Sequence, residues 1–229
     1  MRYECEQVEL KRKDDGTDLY LTKFWCPASW QDKNILMVHG LTYTQHVFDI
    51  KYKDYSVCEY FAKNGYTVWR LDLSGYGKSG KYEDGWKVTT QHAAEDKIYA
   101  LEKICELQGV EKLDLLGWSW GTMTTSKVAS QRPDLLKKVV WLGPCFGGAF
   151  EATPVTELHG MWVDHTYAQD GGHGRPNGGA KEIMEIGDGW LIDTKAVKLL
   201  HLHGAGHAMY LEKDYYQTTR EAILKFISE

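Results

Sequence analysis

The chain has 229 residues, of which 43% are hydrophobic and 26% charged, and a net charge of −5. These values suit one soluble globular domain with a single sizeable core, and the absence of any basic cluster larger than Lys11-Arg12-Lys13 excludes a concentrated nucleic-acid-binding face. The N-terminal residues lack an apolar signal region, no apolar run approaches the ~18 residues of a spanning helix, and the five scattered cysteines form no CxxC pair, so reduced thiols and a cytoplasmic location are expected.

In chain order, Val8–Lys13 and Leu19–Phe24 flank Asp14-Asp15-Gly16-Thr17, a pattern that predicts a β-hairpin. Ile35–Val38 reads as a buried strand ending at His39-Gly40. Tyr55–Lys63 has helical periodicity, and Thr67–Leu71 is the next strand. A helix over 93–107 places Ile98, Leu101, Ile104 and Cys105 on one face. Leu113–Leu116 is a strand, and a helix over 122–130 stops before Pro133. Lys138–Leu142 is another strand. Strands alternating with helices imply parallel crossovers, a mostly parallel central sheet, and helices on both of its faces.

Residues 145–189 break this pattern, being rich in Gly, His and Trp, and are expected to form a short irregular lid-like insertion. The core is therefore expected to comprise 1–144 and 190–229. A last strand over 198–202 leads to Gly204-Ala205-Gly206-His207, and a C-terminal helix spans about 213–227.

The segment richest in chemical implication is Gly117-Trp118-Ser119-Trp120-Gly121, between a predicted strand and a predicted helix. With 23 Gly and 8 Ser in the chain, about 0.08 such matches arise by chance, and the strand–helix setting makes an incidental serine rarer still. A tight elbow there lifts the serine clear of the sheet edge, and the helix N-terminus behind it favours developing negative charge. Three further segments lie around it in the chain: His39-Gly40-Leu41-Thr42 after a strand, Asp72-Leu73-Ser74-Gly75-Tyr76-Gly77-Lys78-Ser79 after the next, and Gly204-Ala205-Gly206-His207 near the C-terminus. Together the four resemble the motifs of the α/β-hydrolase family in their family order, over nearly the whole chain.

The resemblance implies a serine hydrolase that cleaves a carboxylic ester through an acyl-enzyme, without a cofactor or metal. Ser119 would be the nucleophile. A serine hydroxyl needs an adjacent base, and histidine titrates near neutrality. Of nine histidines, His207 fits best, after a terminal strand and a Gly-x-Gly turn, whereas His39 is expected to support its own loop. The oxyanion donors would be the backbone N–H groups of Leu41 and Trp120. Tyr43, Trp118 and Trp120 would line an acyl pocket suited to a small ester with an apolar or aromatic acyl group, although Trp118 suits a core position nearly as well.

The triad acid is where the sequence departs from the family pattern. Asp188 follows a degenerate strand-like run and is preferred to Asp193, in Gly189–Lys195. Residues 190–198 resemble the approach to the penultimate strand and Leu199 onward the final one, so an acid absent from this stretch is the third possibility. Other reactions of the fold remain open: lactone, thioester or C–C bond hydrolysis. Dehalogenases and epoxide hydrolases fit less well because they use Asp where Ser119 stands. A non-catalytic ligand-binding member is the alternative of a different class. His159, His165 and His173 match no compact metal-ligand spacing.

Overall fold

The computed structural model describes residues 1–144, 200, 202 and 204–229. The expected insertion at 145–189, both candidate acids Asp188 and Asp193, and most of the expected strand at 198–202 lie outside these residues.

Six described strands form one open sheet: β1 (Glu4–Val8), β2 (Tyr20–Trp25), β3 (Lys33–Val38), β4 (Tyr66–Asp72), β5 (Leu113–Trp118) and β6 (Leu136–Leu142), in the order β1-β2-β4-β3-β5-β6. β1 pairs antiparallel with β2 and β2 with β4, whereas β4, β3, β5 and β6 run parallel. The first hairpin strand lies earlier than the alternation predicts, at 4–8, and only a Lys11–Asp18 bridge continues it. The physical reason is Arg12. Its buried guanidinium turns inward to Asp14, Glu95 and Asp96, which takes this stretch out of a regular strand.

Four α-helices cover the sheet among the described residues: α1 (Val57–Lys63), α2 (Thr90–Gln108), α3 (Trp120–Gln131) and α4 (Tyr216–Ser228). Ser56 and Thr89 cap α1 and α2 by accepting the N–H groups of Glu59 and His92, supplying partners for donors that have none within the helix. Alternate side chains of the central strands face opposite cores. Leu36, Val38, Trp69, Leu71 and Leu115 pack with Ala94, Leu101 and Ile104 of α2 and Met123 and Val128 of α3. Ile35, Met37, Tyr66, Val68 and Trp118 pack with Phe61 of α1 and Ile223 and Ile227 of α4. β4 and β5 are buried along their whole length, as strands covered on both faces must be. No helix among the described residues is long and apolar enough to cross a membrane.

Because β3, β4 and β5 are parallel, their C-terminal ends emerge at one edge of the sheet. The loops starting at His39, Asp72 and Ser119 therefore converge there, which is where ligands bind in open α/β sheets.

Candidate active site

Ser119 is the junction between β5 and α3, with φ 56° and ψ −126°, a backbone region that L side chains rarely occupy. Such strain costs on the order of 1–3 kcal/mol and persists only where the surroundings over-determine it. Here the Ser119 N–H donates to Leu142 O at 3.0 Å, and Ser119 O accepts from the Thr122 N–H at 2.8 Å and the Thr122 hydroxyl at 2.6 Å. The glycines on either side are required by contact. A Cβ at Gly117 would strike Gly121 O and Thr125 Oγ1, and one at Gly121 would lie 2.8 Å from both His39 O and Val38 O. Gly40 completes the set, since a Cβ there would meet Ser119 Cβ at 2.6 Å and Trp118 O at 2.9 Å.

His207 Nε2 lies 2.8 Å from Ser119 Oγ, so in the tautomer with Nε2 unprotonated the serine hydroxyl donates to the ring. The residues are 88 positions apart, and the interactions that bring them together are local to each. The Trp118 indole N–H donates to His207 O at 3.1 Å, and a Cβ at Gly143 would approach His207 O at 2.9 Å. The residue preceding the serine and the turn after β6 thus both contact the histidine's backbone. The Gly206 N–H donates to Glu212 at 3.1 Å, holding the turn that presents His207.

His39 lies in the interior. Its Nδ1–H donates to Gly40 O at 2.7 Å and its Nε2 accepts the Leu73 N–H at 3.2 Å, so both nitrogens are engaged by the neutral ring. Burial pushes it down to about 4. It joins the β3 loop to the β4 loop, in keeping with a supporting role. The Asp72 motif acts in the same way. Its carboxylate accepts the N–H groups of Gln45 at 2.6 Å and Lys78 at 2.9 Å, and Gly77, at φ 48°, lies against it.

Leu41, in the turn after β3, and Trp120, the first residue of α3, are the expected oxyanion donors and are both buried. Trp118 and Tyr43 meet edge-on with ring centroids 5.0 Å apart, and the Trp118 ring lies 5.6 Å from His207. Tyr43 is partly open to solvent and Trp118 is buried, so this aromatic pair stands beside the serine and histidine. Trp120 does not join it. Its side chain enters the opposite core and donates to Thr90 Oγ1 at 3.3 Å, because the elbow turns the residues on either side of Ser119 to opposite faces. The sequence reading missed Tyr210, which packs edge-on against Trp118 at 5.4 Å. Its position three residues after His207 was the available signal.

Beneath the elbow, Lys97 and Asp96 of α2 are fully buried. Lys97 Nζ donates to Gly121 O and Thr125 Oγ1, each at 2.7 Å. Asp96 accepts from Arg12, from the Ser74 N–H at 2.8 Å and from the Ser74 hydroxyl at 2.8 Å. Burial pushes Asp96 up to about 6 and Lys97 well below its ordinary value. Three donors converge on Asp96, one of them a guanidinium, so the carboxylate is the form held at neutral pH. No cluster of three or more potential metal ligands occurs among the described residues.

Several known proteins resemble this chain. Epoxide hydrolase 3 of Siraitia grosvenorii is 31% identical over 98 residues, 43% of this chain and 30% of that protein. Among solved structures, a predicted CIB-like hydrolase from Thermoplasma acidophilum has a TM-score of 0.60 at 19% identity, covering 98% of this chain and 100% of that one. A mutant of epoxide hydrolase from Solanum tuberosum has a TM-score of 0.51 at 24% identity, covering 63% of this chain and 41% of that one. The chain thus spans less than half the length of these epoxide hydrolases. A family model described as the alpha/beta hydrolase fold matches residues 33–174, more than half of the sequence, and the chain belongs to that family.

Proposed function

We propose that this hydrolase cleaves a carboxylic ester through an acyl-enzyme, with Ser119 as nucleophile and His207 as general base. The observation that carries the reading is the 2.8 Å approach of His207 Nε2 to a serine on a strained strand–helix elbow. His207 takes the hydroxyl proton as Ser119 Oγ attacks the ester carbonyl. The backbone N–H groups of Leu41 and Trp120 receive the oxyanion, and the proton passes to the departing alcohol. Water, activated by the same histidine, then releases the acid. Tyr43 and Trp118 form an aromatic wall that favours a small substrate with an apolar or aromatic acyl group. The steps need no cofactor. Asp188, or Asp193, would orient His207. The free thiols of Cys5, Cys26, Cys58 and Cys105 support a cytoplasmic setting.

The names of two relatives suggest epoxide opening as a second reading. Attack by a serine alkoxide on an epoxide carbon would form an ether, which has no carbonyl for water to attack, so turnover through Ser119 would stall after one event. A fluorophosphonate probe separates the readings, since it labels only an activated serine. Labelling that is lost in Ser119→Ala, together with hydrolysis of a short p-nitrophenyl ester, is the expected result. Absence of labelling, or epoxide turnover that survives Ser119→Ala, would overturn the proposal.

A further inference from the structure

Lys97 is a fully buried lysine that the proposed chemistry leaves unused, and no carboxylate lies within ion-pair distance of it among the described residues. Burying an ammonium-bearing side chain is costly unless its donors are satisfied. Those donors go to Gly121 O and Thr125 Oγ1, both on the first turns of α3. Gly121 is also the residue whose Cα surface presses against Val38 O and His39 O at the end of β3, so closely that even a methyl group is excluded. The first turn of α3 is therefore held between two elements. The end of β3 bears on Gly121, and Lys97 of α2 fixes the carbonyl of the same residue. Ser119 makes no side-chain cap for this helix, its hydroxyl facing His207.

We infer that Lys97 is a positioning residue that seats the first turn of α3 against the end of β3 and so sets the spacing between the Leu41 and Trp120 N–H groups. This inference rests on the oxyanion role proposed above. Leu41 follows the β3 end by three residues and Trp120 precedes Gly121 by one, so the contact that Lys97 fixes joins the two segments that carry the donors. A displacement of about 1 Å at such a site can cost on the order of 10²-fold in turnover, and the donors act on the oxyanion rather than on the bound ester.

The test is Lys97→Met in the full chain, which keeps the aliphatic stem and removes the amine. Gly121 O still accepts the Thr124 hydroxyl at 3.1 Å, whereas Thr125 Oγ1 loses its donor, which lowers stability, so stability is measured separately from function. The expected result is a folded protein with a lowered melting temperature, kcat for a p-nitrophenyl ester lowered about 10- to 100-fold with KM within about threefold, and hydrogen exchange that rises more at the α3 first-turn amides than at those of the other helices. Unchanged kcat and exchange in a folded Lys97→Met protein would overturn the inference. Should that variant not fold, Thr125→Val removes one acceptor and must lower kcat in the same sense. Unchanged kcat there would equally overturn it. If the parent neither hydrolyses the ester nor labels with fluorophosphonate, the functional reading fails by itself. The exchange measurement still decides whether Lys97 seats the helix, and unaltered exchange refutes it.

Discussion

Ser119 has a backbone conformation that is the mirror image of an extended strand, and this gives a stability prediction whose sign runs against general experience. Replacing alanine by glycine ordinarily destabilises a protein by about 0.5–1 kcal/mol, because glycine has more freedom to lose on folding. At φ 56° and ψ −126°, any residue with a Cβ carries strain on the order of 1–3 kcal/mol that glycine does not. Comparing Ser119→Gly with Ser119→Ala removes the hydroxyl and its contact with His207 in both, leaving the backbone effect alone. The strain relieved exceeds the entropic loss, so Ser119→Gly is expected to be the more stable by about 1 kcal/mol, or roughly 2–4 °C in melting temperature for a domain of this size. Ala129→Gly, within the regular helix α3, provides the opposite control and should lower stability by about 1 kcal/mol. Differential scanning calorimetry of the three variants and the parent measures each effect. A Ser119→Ala protein as stable as Ser119→Gly, or more so, would refute the strained elbow and with it the structural support for the proposed nucleophile.

Other predictions address neighbouring parts of the site. His207→Ala should abolish esterase activity, together with the fall in rate on acidification that arises when the imidazolium can no longer accept the serine proton, whereas a greater loss in His39→Ala at equal stability would exchange the assignments. His39, held at about 4 in the folded chain, binds its proton first in the unfolded chain, so its contribution is full above about pH 6.5 and is lost as pH falls towards 4. Asp96, at about 6, works in the opposite sense over the same window; the expected outcome is therefore a smaller loss of melting temperature between pH 7 and 4.5 in His39→Gln than in the parent, and equal losses would count against it. Gly117→Ala should prevent formation of the elbow, since its Cβ would collide with the Gly121 carbonyl, and soluble, labelled protein at parental yield would contradict this. Asp188→Asn should lower kcat strongly with little change in KM while Asp193→Asn stays mild, and mild effects from both would exclude each as the acid.

How far the site could be read before folding depended on the kind of interaction involved. Periodicity and turn chemistry are local, so the β3, β4, β5 and β6 strands and the helices between them lie within a few residues of their expected bounds. The Gly117–Gly121 elbow was legible for the same reason, because a turn this tight leaves no room for Cβ atoms on either side of the serine. Selecting His207 and setting His39 aside followed from their places after particular strands, and the structure gives each a distinct environment: one against Ser119 Oγ, the other buried between two backbone partners.

Strand order was not legible, because a hydrophobic pattern says which face of a strand is buried but not which strand lies beside it. That β4 sits between β2 and β3 emerges only from the pairing. Arg12 and Lys97 were equally hidden. In a single chain each is a charged residue in an amphipathic context, indistinguishable from a solvated one. Only when α2 packs beside the hairpin turn and α3 do Asp96, Gly121 and Thr125 come within hydrogen-bond reach and make burial of those charges tolerable. The side-chain direction of Trp120 belongs to the same class, since the elbow that reverses it is formed by contacts from β3 and β6. The amino-acid sequence by itself thus determined the elements and pointed to the Ser119–His207 pair that the structure brings within 2.8 Å, through short-range sterics and periodicity. Tertiary packing alone decided which polar groups are buried, which partners satisfy them, and how the serine is held in a conformation its own backbone disfavours.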